Sequence, residues 1–489
     1  METSQLTGES ITRDIVAKLW SLCHILRDDG ITYNEYVTEL TYLLFLKMMA
    51  ETGRESVLPD GYRWGELDKR EGLDQLDYYR RLLLDLGSQG KDQVAAIFAD
   101  AQTKLRKPTN LKALTDAIDR LDWFSARDEG LGNLYEGLLE KNAAEKKSGA
   151  GQYFTPRPLI DCIVRLVQPK AGELIQDPAA GTGGFLVAAD RYIKDHTDDL
   201  YALNEAQAYF QRHNAFVGLE LVPDTHRLCL MNLMLHGIED GVELGDTLSP
   251  DGERLGKADV IMTNPPFGTK RGGGRPTRAD FSVTADSSNK QLAFVEHLYR
   301  ALKPGGRAAM VVPDNVLFED GVGRRLRQQL MELCDLHTIL RLPTGIFYAQ
   351  GVKTNVMFFT RGKVDRGNTK GVWVYDLRAN MDSFGKTRPL TSNDFAAFEQ
   401  AFGDSSLGKS PREGEGEEGR FRFFSREQIT ARNDNLDVAW LRDTSVDPED
   451  EMTEPEEIAA AILVHLRTAL EEIDALSDEL TPEAIEVAQ

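Results

Sequence analysis

From Gln152 onward, short apolar runs alternate with helical patterns, and this alternation constrains the fold of the 489-residue chain more than any other feature. The runs Glu173–Asp177, Phe216–Glu220, Asp259–Thr263, Arg307–Val312, Thr338–Leu342 and Asn355–Thr360 have strand length. Patterns such as Pro223–His236 and Gln291–Leu302 carry helical spacing between them. Strands separated by helices imply βαβ units, because parallel neighbours need a crossover connection. The expected class is therefore α/β, with a mostly parallel, doubly wound sheet. Ligands of such sheets bind beyond the carboxyl ends of strands.

The flanks read differently. Before about residue 145 there is no strand alternation. Ile11, Ile15, Leu19, Leu22 and Leu26 recur at helical spacing, as do Tyr36, Leu40, Leu43 and Lys47, which implies an all-α region. The charged, glycine-rich stretch Glu145–Gly151 marks a boundary. A chain this long exceeds one core. We expect an N-terminal helical domain at 1–147, an α/β domain at 148–445 and an acidic helical tail at 446–489. In the tail, Ile462, Leu466, Ala469, Ile473, Leu476 and Leu480 follow a four-three seam, for packing on a partner or back on the same chain. The four cysteines, Cys23, Cys162, Cys229 and Cys334, are far apart without metal-ligand spacing, so buried free thiols are expected and no metal. No apolar run is long enough to span a bilayer and no secretory leader precedes the first helix, so the expectation is a cytoplasmic protein.

Residues Asp177–Phe185, "DPAAGTGGF", follow a strand and open a helix. Gly181, Gly183 and Gly184 admit close backbone approach, and the helix start offers N–H groups to an anionic group. No Lys-Ser/Thr pair follows, so this is not a phosphate-cradling P-loop. The next strand ends in "VGLEL", placing the Glu220 carboxylate where both hydroxyls of a ribose can donate to it. Asp246, in "LGDTL", can accept from an adenine amino group. Upstream, Tyr153 and Phe154 supply aromatic rings, and Thr155 with Pro156 reads as a helix N-cap and first helical position. Together these features point to an adenosine-bearing ligand.

The strand Asp259–Thr263 stops at Asn264-Pro265-Pro266-Phe267. An amine conjugated to a nucleobase is a poor nucleophile because its lone pair is spread into the ring. Two acceptors, the Asn264 side-chain oxygen and the Pro265 carbonyl, would pull its nitrogen towards tetrahedral geometry. Proline fixes φ and holds that carbonyl still. Phe267 offers a flat face for stacking. A base in a duplex must be flipped out to reach such a turn. Position supplies most of the help.

The ordered set "GQYFTPRPL", "DPAAGTGGF", "GLEL", "GDTL" and "NPPF" resembles the S-adenosylmethionine-dependent N6-adenine DNA methyltransferases. "YVTELTYLLFLKMM", "NLMLHGI", "LKPGGRAAMVVPDNVLF" and "LRLPTGIFYAQGVKTNVMFF" are similar to the modification subunits of type I restriction–modification systems. The resemblance implies a Rossmann-like methyltransferase domain. It implies that Gln152, Tyr153, Phe154, Thr155, Pro156, Arg157, Asp177, Gly181, Thr182, Gly183, Gly184, Glu220 and Asp246 hold S-adenosylmethionine, and that Asn264 to Phe267 bind the target adenine. It also implies double-stranded DNA, a specificity subunit serving two copies of this chain, and a restriction subunit as partners.

The formal net charge of −22 argues against stand-alone DNA binding, since phosphate contacts need cations. A specificity subunit that delivers the DNA removes the conflict. One local stretch is basic: Lys270, Arg271, Arg275 and Arg278, directly after the asparagine turn, are expected on a mobile loop that orders on DNA. Two other functions use related features. A protein glutamine methyltransferase would use a similar turn with Tyr where this chain has Phe267, and a non-catalytic scaffold would bind the cofactor only as a structural ligand.

Overall fold

The computed structural model describes residues 14–32, 35–124, 131–145, 154–239, 241–267, 274–347, 353–381, 384–385 and 388–441. The tail seam therefore lies outside the described residues. The chain divides into two compact units, Met1–Phe154 with Lys170–Gly245, and Thr155–Pro169 with Asp246 onward.

The first unit joins the N-terminal helices to three strands. Its core surrounds the helix Tyr36–Glu51, which is buried on nearly every side from Tyr36 to Met49. A helix so apolar all round must be wrapped by others, here including Gly72–Gln89, Pro108–Asp119 and Leu131–Glu145. Lys47 occupies one core position of the expected helical stripe. Its ammonium is tolerated there because it pairs with Glu51 at 2.8 Å and Asp119 at 2.7 Å and lies over the rings of Trp64 and Trp123.

Strands β1 (Ile175–Asp177), β2 (Phe216–Glu220) and β3 (Val242–Leu244) are parallel, in the order β3-β2-β1. The helix Pro223–Leu235 connects β2 to β3. It starts at Pro223, whose missing N–H costs nothing in the first turn. Leu230 and Met231 enter the N-terminal core. Arg227 donates to the carbonyls of Ile97 and Ala99, Arg54 donates to that of Met234, and the Tyr135 hydroxyl lies 3.4 Å from Met231 Sδ. The N-terminal helices and this crossover helix thus share one hydrophobic interior.

The second unit holds six strands in the order β4-β5-β7-β6-β8-β9. They are β4 (Ala258–Thr263), β5 (Leu302–Pro313), β6 (Cys334–Arg341), β7 (Thr354–Arg361), β8 (Gly371–Asp376) and β9 (Phe421–Ser425). β4 pairs in parallel with β5 and β6 with β8, whereas β7 runs antiparallel between β5 and β6 and β9 antiparallel to β8. The α/β class holds, and in this unit β4, β5, β6 and β8 share one direction while β7 and β9 run against it. The helix Arg157–Val167 packs on β5. Arg307 of β5 donates to the carbonyls of Val167 and Gln168, both at 2.6 Å, and so satisfies the end of that helix. All four cysteines are free and buried. No helix among the described residues is long and apolar enough to cross a membrane.

Candidate active site

Within the first unit, β1 ends at the buried Asp177, whose Oδ1 accepts from the Ala179 N–H at 3.1 Å and turns the chain. The Ala180 N–H donates to the Leu219 carbonyl, and the Gly183 N–H to the Ala180 carbonyl. Gly181 and Gly183 have φ of +55° and +82°, a region that costs a side chain energy. Gly183 is the N-cap of the helix Gly184–Asp195. A Cβ there would lie 3.1 Å from Cys229 Sγ and 3.3 Å from Leu233 Cδ2, so the crossover helix leaves no room for one. From the same helix the buried Asn232 donates Nδ2–H to the Thr182 carbonyl at 2.9 Å. Asn232 stands in the "NLMLHGI" segment but escaped the expected site, because only the tertiary fold reveals its task.

Glu220 ends β2, as expected. Its Oε2 accepts from the Gly181 N–H and its Oε1 from the Val222 N–H, each at 2.9 Å. Each oxygen keeps a lone pair for a hydroxyl donor. Burial raises the pKa of this carboxyl, opposed by its backbone hydrogen bonds. Leu221 and Val222 follow beside the Glu220 carboxylate as exposed apolar side chains, a pair also missed. Phe154 is half-buried against the N-terminal core. Gln152 and Tyr153 lie outside the described residues.

Within the second unit, β4 is buried along almost its whole length and delivers Asn264, itself 8 % exposed, to its carboxyl end. Pro265 is buried, Pro266 exposed and Phe267 half-buried. Asn264 donates Nδ2–H to Thr155 Oγ1 at 2.9 Å. The expected Thr155 cap is not formed. The helix begins at Arg157, with Pro156 as an N-cap that makes no side-chain hydrogen bond, and the Thr155 hydroxyl is engaged by Asn264 instead. Arg157 is half-buried at the first turn of that helix. Phe347 meets the Phe267 ring edge-on, at 5.9 Å between centroids and 85° between planes. It braces that ring by its edge.

Asp246 turns the chain after β3. Its Oδ1 accepts from the Leu248 N–H at 2.9 Å, so one of its two oxygens is occupied locally. Arg278 differs most from its expected exposure. It is buried, chelates Asp280 at 2.7 and 2.8 Å, and donates to the Thr247 carbonyl and to His297 Nδ1. Burial, with the nearby Arg278 charge, brings His297 down to about 3. A guanidinium so engaged holds the protein together rather than reaching for a phosphate. Arg275 is exposed and lies 3.4 Å from Asp286, while Lys270 and Arg271 are outside the described residues. Glu296 accepts from the backbone N–H groups of Ser282, Val283 and Thr284 and anchors the far end of this segment. Among the described residues no group of three or more His, Cys, Asp or Glu is arranged to hold a metal ion.

Residues 126–450 match the family described as N-6 DNA Methylase, and residues 15–118 the HsdM N-terminal domain. The chain is 50% identical over 508 aligned residues to the type I restriction enzyme EcoKI methylase subunit of Escherichia coli K12, covering 96% of this chain and 95% of that one. The crystal structure of the EcoKI M protein is similar at a TM-score of 0.56, with 46% identity and 96% of each chain covered. A chain from a structural study of type I R-M complex assembly and conformational transition aligns at a TM-score of 0.70 with 28% identity, covering 98% of this chain and 99% of that one.

Proposed function

We propose, for a chain that belongs to the N-6 DNA methylase family as a methylase subunit of the type I restriction enzymes, that Asn264 to Phe267 receive an adenine extruded from DNA and prepare its N6 amine for methylation. The carrying observation is the asparagine itself: it is buried at the end of β4 with its amide nitrogen held by Thr155. Asn264 and the Pro265 carbonyl accept hydrogen bonds from the two N6–H groups. The nitrogen becomes pyramidal and its lone pair leaves conjugation with the ring. Phe267 supports the base by stacking and replaces the neighbours it lost on leaving the duplex. Positioning and fixed dipoles provide the rate enhancement, and no strong base is needed.

Membership of a methyltransferase family implies S-adenosylmethionine as methyl source, and the first unit suits it. Positive φ at Gly181 and Gly183 sets a side-chain-free turn at a helix start. Glu220 takes the ribose hydroxyls, Leu221 and Val222 offer an apolar face to the cofactor's adenine, and Gly181 to Gly184 accommodate the amino-acid end. When bound, the cofactor supplies an electrophilic methyl group on a sulfonium. Asp177, Asp246 and residues 152–157 other than Thr155 complete the proposed cofactor set.

The proposed assembly contains two copies of this chain with one specificity subunit on double-stranded DNA, joined by a restriction subunit for cleavage. A separate sequence reader accounts for the −22 charge, because this chain need not grip DNA alone. The tail seam at 462–480 is the proposed contact with the specificity subunit, and 1–147, 148–445 and 446–489 the proposed functional segments.

The test is Asn264→Ala in the assembled complex, read by methyl transfer from labelled cofactor to DNA. Loss of one positioned acceptor should slow transfer by about 100-fold or more, with cofactor binding retained. Transfer at the native rate would overturn the assignment. Transfer to a protein substrate but not to DNA would favour the glutamine reading, which the names of the relatives do not support.

A further inference from the structure

We infer that Thr155 is a positioning residue for Asn264, holding its side-chain amide by the nitrogen so that the oxygen end is left towards the target amine. The inference rests on the catalytic reading above.

An asparagine side chain carries a donor end and an acceptor end, and half a turn about χ2 exchanges them. Only the oxygen end can accept from an adenine N6–H. The NH2 end would set donor against donor and would hold the amine in its unreactive planar form. Thr155 Oγ1 accepts from Asn264 Nδ2 at 2.9 Å, and this bond turns the carbonyl oxygen to the opposite side. Both residues are buried, Thr155 at 9 % and Asn264 at 8 % exposure, so water competes poorly for the bond.

Thr155 is itself held firmly. Pro156 follows it, which confines residue 155 to extended backbone. Its β-branched side chain has few χ1 options. Its hydroxyl is not used as a helix cap, since the helix Arg157–Val167 begins with Pro156 uncapped. That helix is tied to β5 by the two 2.6 Å bonds from Arg307 to the carbonyls of Val167 and Gln168. β5 pairs in parallel with β4, from Val260↔Arg307 to Thr263↔Met310, and β4 carries Asn264 at its end. The connections form a closed circuit: β4, β5, Arg307, the helix, Thr155 and Asn264. A hydroxyl supplied 109 residues upstream is thereby referenced to the strand that ends at the amide it orients.

The experiment compares Thr155→Val, Thr155→Ser and Asn264→Ala in the assembled complex with the specificity subunit. Three quantities are read: single-turnover methyl transfer at saturating S-adenosylmethionine, cofactor Kd, and fluorescence of 2-aminopurine at the target base as a measure of extrusion. Thr155→Val keeps the shape and removes the acceptor. It should slow the chemical step about tenfold or more, as loss of one buried hydrogen-bond partner does. Cofactor Kd and extrusion should stay near native, and Thr155→Ser should restore most of the rate. A weaker cofactor Kd with a native saturated rate would overturn the inference and return Thr155 to the cofactor. Equal loss in the Ser and Val variants would also overturn it, as a packing effect. If the unaltered complex transfers no methyl to DNA, the catalytic reading fails; if it does and Thr155→Val matches it, only this inference fails.

Discussion

Replacing Gly183 by alanine tests whether the glycine turn, proposed to hold the cofactor, is as tightly specified as its geometry implies. Gly183 has φ +82°, where an L side chain costs about 1–2 kcal/mol. The added methyl carbon would sit 3.1 Å from Cys229 Sγ and 3.3 Å from Leu233 Cδ2. Both neighbours are fully buried, so relief requires movement of packed atoms, at about 1–3 kcal/mol. The sum, about 2–5 kcal/mol, is divided between folding and binding. A turn that keeps its shape destabilises the protein; a turn that relaxes loses its fit to the cofactor. Calorimetric titration with S-adenosylmethionine should show affinity reduced about tenfold or more, equivalent to about 1.4 kcal/mol, alongside a lowered Tm. The double variant with Cys229→Ala should recover the steric part and not the backbone part. Unchanged Tm with affinity within about twofold of native, or complete rescue by Cys229→Ala, would refute the reasoning.

Other interactions carry three more expected outcomes. Asn232→Leu removes the donor to the Thr182 carbonyl and should weaken S-adenosylmethionine binding by about tenfold through the buried acceptor left behind; native affinity by titration would show the brace to be idle. His297 and His337 are both depressed to about 3, chiefly by burial, and unfolded histidine titrates near about 6.5. The native state therefore binds fewer protons, so this stability is complete above about pH 6.5 and is lost progressively towards pH 3. The urea midpoint should fall between about pH 7 and pH 5, less steeply in His297→Gln; a flat midpoint in the unaltered protein contradicts this. Arg278→Gln should lower stability by about 1–3 kcal/mol while leaving the salt dependence of DNA binding by the complex unchanged. Neutralising Lys270 and Arg271 should flatten that dependence by about 0.9 for each phosphate they pair with; the reverse pattern would restore Arg278 to the DNA.

What could be read in advance was whatever depends on neighbours in sequence. β2 is Phe216–Glu220 as expected, and β4 and β7 begin and end within one residue of their expected limits, because each is a short apolar run with a sharp end. The glycine turn was legible for the same reason. Direction was not: β7 is buried on both faces, and nothing in "TNVMFFTR" distinguishes a parallel from an antiparallel partner. β8 and β9 were missed because they lie among charged and glycine-rich segments, and β8 is committed by pairing with β6 and β9. Thr155 shows the limit for the site. Threonine before proline has the local form of a cap, yet the helix starts one residue later with Pro156 at its N-cap, and a distant asparagine meets the hydroxyl. Arg278 misled likewise: glycines and cations read as surface, while Thr247 and His297 come from separate stretches of chain.

The helix Pro223–Leu235 has two clients. Leu230 and Met231 serve the N-terminal interior, and Cys229, Asn232 and Leu233 face the glycine turn at 181–184. A protein started after residue 147 would expose the first group to water and loosen the second with it. Substitutions in the heart of the helical bundle, at Leu40 or Phe45 for example, therefore reach the turn proposed to hold the methyl donor without touching it. Trimming this subunit from its N-terminus is a way of detuning it, not of isolating its catalytic half.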